Sequence, residues 1–195
     1  MNLFYQNPVK NLKTYVPLMA LAGLFLASCS NDDDNPDPVN EEEVITTMTI
    51  TLVPQGGGDT VTLQSRDLDG DGPEAPVVTV SGPFTAGTTY DGTIVLLNET
   101  ETPAENITEE VEEEADEHQF FFSVASSLSA SISYSNFDGN NNPLGTEFEL
   151  DAQGASTGSL IVTLRHEPKK PNDGTLSDAG GETDIAQSFD LVIIP

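Results

Sequence analysis

Leu128-Ser129-Ala130-Ser131-Ile132-Ser133-Tyr134-Ser135 sets an apolar or aromatic residue at every even position and a serine at every odd one. A period of two sends the two sets to opposite faces of an extended chain, one face suited to a core and the other to water. The rhythm recurs at 47–53, where threonines alternate with Met48, Ile50 and Leu52, and at 60–64, where Val61 and Leu63 alternate with polar residues. Further strands are expected at 76–81, 93–98, 118–125, 146–151, 159–166 and 185–194. Ile94-Val95-Leu96-Leu97 and Phe120-Phe121-Phe122 are apolar on both faces, which predicts central strands. Short strands separated by turn residues predict an all-β fold, an antiparallel two-sheet β-sandwich of immunoglobulin-like architecture. With no Trp and one Cys, the Cys-Trp-Cys pattern of antibody domains is missing.

One stretch departs from this pattern. Thr102-Pro103-Ala104-Glu105 reads as a capping box, and Ala104, Ile107, Val111, Ala115 and His118 then recur at helical spacing. A single short acidic crossover helix is predicted, its outer face carrying Glu109, Glu110, Glu112, Glu113, Glu114, Asp116 and Glu117. The four like-charge pairs that these make at i,i+4 would together cost an isolated helix about 1–2 kcal/mol before screening.

The first 28 residues read as an address. Lys10 and Lys13 precede an almost wholly apolar run over 15–26, too short to span a bilayer and weakened by Pro17 and Gly23. The run closes on Leu26-Ala27-Ser28-Cys29, which resembles the bacterial lipobox; the resemblance implies cleavage before Cys29 and acylation of its thiol. Several acyl chains would make the anchor effectively permanent. Cys29 is the only cysteine, so no disulfide can form within the chain. Residues 29–43 are expected to be the lipidated cysteine and a flexible acidic tether, because Val39 is the only large apolar residue among them. Ser30-Asn31-Asp32-Asp33-Asp34 resembles the export tag of Bacteroidota surface lipoproteins. An outer-membrane location is expected, at the cell surface or on the periplasmic face, with one β domain over 44–195.

The formal charge is −27 at pH 7. Two of the six basic residues leave with the signal peptide, so four face 33 acidic ones. Such a body repels DNA, RNA and anionic lipid, while divalent cations should gather around it.

Two constellations could hold a cation. Asp67-Leu68-Asp69-Gly70-Asp71-Gly72 fits the opening of an acidic calcium loop, with Asp67, Asp69 and Asp71 as oxygen ligands and Glu74 to close it. Val78 stands where an EF-hand carries its bidentate Glu, so an EF-hand is excluded. Two Asp-Gly pairs are equally good turn chemistry. Asp138, Asn140 and Asn142 repeat the spacing but read as a turn, and the polar loop 168–184, with Asp173, Asp178, Glu182 and Asp184, could lend oxygens to either. The second constellation is His118 with His166 and Glu167: both histidines fall at strand ends, and if those ends met they could hold a transition metal. Partly buried or capping histidines would give the same sequence.

No G-x-S-x-G, H-E-x-x-H or phosphate-binding glycine loop occurs, so no enzyme is expected. The reading is a lipid-anchored, non-catalytic binding or scaffold module, calcium-stabilised through the Asp67 loop, with a protein or glycan partner unspecified. The first alternative is a metal-capture lipoprotein using His118 and His166, and the second an envelope hydrolase assembled from scattered loops. The mature chain is also similar, across 68–73, 98–122 and Leu164-Arg165-His166-Glu167-Pro168, to short flavobacterial-type Bacteroidota outer-membrane lipoproteins of unknown function. Some of these carry the label of a type 1 periplasmic binding fold. Such proteins are longer, two-lobed α/β structures, and the repeated strand-helix units they need are not present in this sequence.

Overall fold

The computed structural model describes residues 43–70 and 72–195. The stretch expected to be a signal peptide, Cys29, the part of the expected tether before residue 43 and Asp71 lie outside the described residues. In chain order the elements are β1 (Thr47–Pro54), β2 (Val61–Arg66), β3 (Val77–Val80), β4 (Phe84–Thr85), β5 (Thr88–Asn98), β6 (Glu105–Asn106), α1 (Ile107–Glu113), β7 (His118–Val124), β8 (Ala130–Tyr134), β9 (Glu147–Ala152), β10 (Ser156–His166), α2 (Leu176–Ala179) and β11 (Glu182–Ile194). The fold is therefore mostly β, as the alternation requires.

Two sheets form. The larger runs β3-β2-β1-β5-β9-β8, with β6 added to β5, and curls like half a barrel. The smaller runs β4-β11-β10-β7. β1 shows how period two becomes structure: Ile50 sits opposite Leu63 on β2 and Ile94 on β5, and all three are buried. Phe148 and Leu150 of β9 join them from the same sheet, and Phe120, Leu160, Val162, Leu164, Phe189 and Leu191 join from the other, in one contiguous core. Each such side chain stabilises the fold by about 1.5–3 kcal/mol relative to exposure. Among the described residues, no helix is long and apolar enough to cross a membrane.

The structure departs from expectation in five places, the first being a second helix, α2, within the stretch 168–184 read as a polar loop where a single helix was predicted in the chain. β5 is central, but Val95 is 42% exposed, so this strand alternates where burial on both faces was expected. The Phe run lies on β7, an edge strand. Its edge is closed by other means: the Phe120 amide donates to the Leu144 carbonyl at 2.7 Å, and the Tyr134 hydroxyl donates to the Phe120 carbonyl at 2.8 Å. Helix α1 starts at Ile107, because Glu105 and Asn106 pair with Asn98 and Leu97 as β6 and so take the backbone that the capping box would have used. Ile107 and Val111 are buried as expected, while Glu109, Glu110, Glu112 and Glu113 face water. Finally, β4 runs parallel to β11, a parallel pairing within otherwise antiparallel sheets. It carries Phe84 into the core, edge-on to Tyr90 with ring centroids 5.0 Å apart.

Candidate metal centre

β7 and β10 pair antiparallel, and their register sets His118 opposite His166. On each strand the histidine shares the face of the core residues two positions away, Phe120 and Leu164, so both rings point inward at one end of the smaller sheet. Their centroids are 4.6 Å apart, tilted by 53°. The two strand ends do meet in space.

The third member comes from β11. Leu164 pairs with Ile185 and Arg165 with Thr183, so the ladder accommodates one extra residue, Asp184, as a β-bulge. Unbulged, Asp184 would point to the face opposite Ile185. The bulge re-aims it, a common use of the device beside functional sites: its Oδ1 lies 3.9 Å from His166 Nδ1. Gly181, at φ +70, makes the close approach possible, since a Cβ there would stand 2.3 Å from the His166 carbonyl oxygen.

Glu43 completes the group from the segment ahead of β1. Its Oε1 is 2.9 Å from His118 Nε2 and its Oε2 is 3.4 Å from His166 Nδ1. One donor atom from each of Glu43, His118, His166 and Asp184 lies within 4.8 Å of every other. The side chains are 5%, 0%, 6% and 1% exposed respectively.

His118 carries the chemical content of the site. Its Nδ1 faces the Glu114 carbonyl oxygen, an acceptor, at 3.2 Å, and its Nε2 faces the Glu43 carboxylate at 2.9 Å. With Nδ1 donating to the carbonyl, Nε2 meets the carboxylate through either a second ring proton or a cation. Four-coordinate zinc, with bonds of about 2.0–2.2 Å to nitrogen and oxygen, separates its donors by about 3.3–3.5 Å; the contacts here are 2.9 and 3.4 Å through the two different Glu43 oxygens and 3.9 Å to Asp184, with all four donors within 4.8 Å, so the side chains would shift to close on an ion. Two imidazoles and two carboxylates suit a borderline transition ion, and a divalent charge balances the carboxylates. The carbonyl behind His118 is the outer partner that metal-bound histidines ordinarily have.

Electrostatics at His166 run the same way. Burial pulls its pKa down, but the carboxylates of Glu43, Asp184 and Glu167 outweigh burial and raise it above the ordinary histidine value. Nearby, burial raises the Glu110 carboxyl, as do the neighbouring acids Glu43, Glu114 and Glu105.

Glu167 is not a member of the buried quartet, but with His166 and Glu117 it forms a second, more exposed group whose ligand atoms lie within 4.8 Å of one another. Glu43, assigned from sequence to the tether, and Asp184, assigned to the polar loop, take the carboxylate places. The Asp67 loop is a turn built on its own backbone: Asp67 Oδ1 accepts from the Gly70 amide at 3.1 Å and Asp69 Oδ2 from the Glu74 amide at 3.3 Å. Asp67, Asp69 and Glu74 form no convergent ligand group among the described residues. Asp138 is likewise committed as a turn, its Oδ1 accepting from the amides of Asn140 and Asn142 and its Oδ2 lying 3.4 Å from Lys170 Nζ.

Comparison with known proteins gave no matching family model, no matching curated protein and no matching solved structure.

Proposed function

We propose that this chain is a lipid-anchored, non-catalytic module of the bacterial outer membrane that binds one divalent transition-metal ion, zinc above others, through Glu43, His118, His166 and Asp184. The observation that carries the metal is His118, with a carbonyl oxygen at 3.2 Å on one ring nitrogen and a carboxylate at 2.9 Å on the other. Four protein ligands with little exposure fit a closed structural site better than a catalytic one, which keeps a position for water. The anchor on Cys29 rests on the lipobox-like residues, and the domain's role is to present or stabilise a surface outside the cell. The immunoglobulin-like sandwich remains our reading of the architecture, supported by two sheets sharing one core, although the parallel β4–β11 pair departs from it.

The test is isothermal titration of zinc into the full chain in detergent, with calcium at equal ionic strength beside it. One zinc per chain, abolished in His118→Ala/His166→Ala, supports the proposal. Calcium binding without zinc binding would overturn it.

A further inference from the structure

The ligands of the quartet have unequal origins. His118, His166 and Asp184 stand on β7, β10 and β11, three adjacent strands of one hydrogen-bonded sheet. Their relative positions are fixed by ladder register and one bulge. Glu43 alone comes from outside that sheet, in the short segment through which the chain enters β1 of the other sheet. Residues 43–45 are lightly held: Val44 is 56% exposed and Ile45 packs only partly against the core. Behind them Thr46 is a firm anchor, buried, with its amide and hydroxyl donating to the Leu97 carbonyl, its hydroxyl accepting from the Glu99 amide and its own carbonyl from the Asp67 amide. Ahead of Thr46, Glu43 itself makes the polar attachment, its two oxygens dividing between the two histidines.

A carboxylate with both oxygens aimed at a preassembled three-ligand cradle is the part that can arrive last. We infer that the ion acts as a latch: bound first by His118, His166 and Asp184, it captures Glu43 and seats residues 43–45, ahead of the anchored Thr46, against the smaller sheet. Metal occupancy would thus decide whether the point at which the chain enters the domain is held or released. The inference rests on the metal-binding reading above and adds an order and a consequence to it. Glu43 is the regulated ligand, while Asp184 is a resident one.

The variants Glu43→Gln and Asp184→Asn separate these roles, because each removes one carboxylate charge while keeping shape. Zinc affinity is measured by calorimetry on the full chain, and exchange of the Ile45 amide is followed by mass spectrometry with and without saturating zinc, the ladder-bound Thr46 amide serving as the internal reference. In the parent chain zinc should slow Ile45 exchange on the order of tenfold or more relative to Thr46, since opening of residues 43–45 must then compete with the ion. Asp184→Asn should bind zinc more weakly yet still show the slowing at saturation. Glu43→Gln should bind zinc and show no slowing. Zinc binding with unchanged Ile45 exchange in the parent chain, or slowing that persists in Glu43→Gln, overturns the latch and leaves the metal site standing. If zinc does not bind the parent chain, both ideas fall. The parent-chain comparison decides between these outcomes even if a variant does not fold.

Discussion

The loop after β2 and the cluster at the end of the smaller sheet differ in how their acids are brought together. Asp67 to Gly72 is conspicuous, with three acids at alternate positions and two glycines; of the two acids described, Asp67 and Asp69 each give one carboxylate oxygen to an amide of their own loop, while Asp71 lies outside the described residues. Glu43, His118, His166 and Asp184 are scattered over most of the domain, yet they converge within 4.8 Å. A local motif supplies ligand types at a spacing, and backbone amides compete for the same oxygens. A convergent site depends on strand register and burial, where competing donors are few and an unbalanced charge is costly. Convergence is therefore the stronger sign of a cation here, and spacing the weaker.

The largest effect that sharpens this contrast is thermal. At zinc 100-fold above its dissociation constant, binding should stabilise the fold by about 2.7 kcal/mol, raising Tm on the order of 5–10 °C for a domain of this size. His118→Ala/His166→Ala should erase that rise in a melting experiment, whereas Asp67→Asn/Asp69→Asn should keep it. The reverse pattern would break the comparison.

Next comes the backbone that holds the cluster. Gly181→Ala forces a Cβ against the His166 carbonyl oxygen and strains a left-handed position, so a loss of about 2 kcal/mol is expected in denaturant unfolding. Zinc affinity should fall with it. The same change at Gly70, whose added Cβ meets nothing within 4 Å, leaves only the cost of its φ of +56. Equal losses at the two glycines would remove the distinction between the regions.

Asp138 offers a smaller, pH-dependent contrast. Burial works to raise its pKa, but the hydrogen bonds from Asn142 and Asn140 and the Lys170 ammonium outweigh it and hold the carboxyl below its ordinary value. A folded pKa below the unfolded one means stability that is present above about pH 4 and lost as pH falls through the folded value. Acid titration of Asp138→Asn should be flatter below about pH 4 than that of the parent chain, and an identical acid limb would contradict the assignment. Smallest of all, Asp67→Asn alone should stay within about 0.5 kcal/mol in stability, because it sits on an exposed loop.

Much of this fold was legible in sequence. Strict alternation located β1 to within a residue and β2 to within two, and β10 and β11 were expected at 159–166 and 185–194, each starting three residues late. Two-residue strands such as β4 and β6 have no period to read. The helix start was misplaced because Thr102 to Glu105 carries a true capping pattern, overridden when Glu105 and Asn106 found ladder partners on β5. At the site, the histidines were visible as residues at strand ends, but their meeting was not, since antiparallel register between β7 and β10 is a tertiary fact. Glu43 was hidden by its acidic, Pro-containing neighbours, which look like spacer. Asp184 was hidden by parity: alternation along β11 sends it outward, and only the bulge turns it in.

The most direct measurement of the central claim is zinc titration calorimetry on three forms of the full chain: parent, His118→Ala/His166→Ala, and Asp67→Asn/Asp69→Asn. The account predicts one zinc per chain in the first and third and none in the second. Zinc binding that survives in the histidine variant and disappears in the aspartate variant would contradict it.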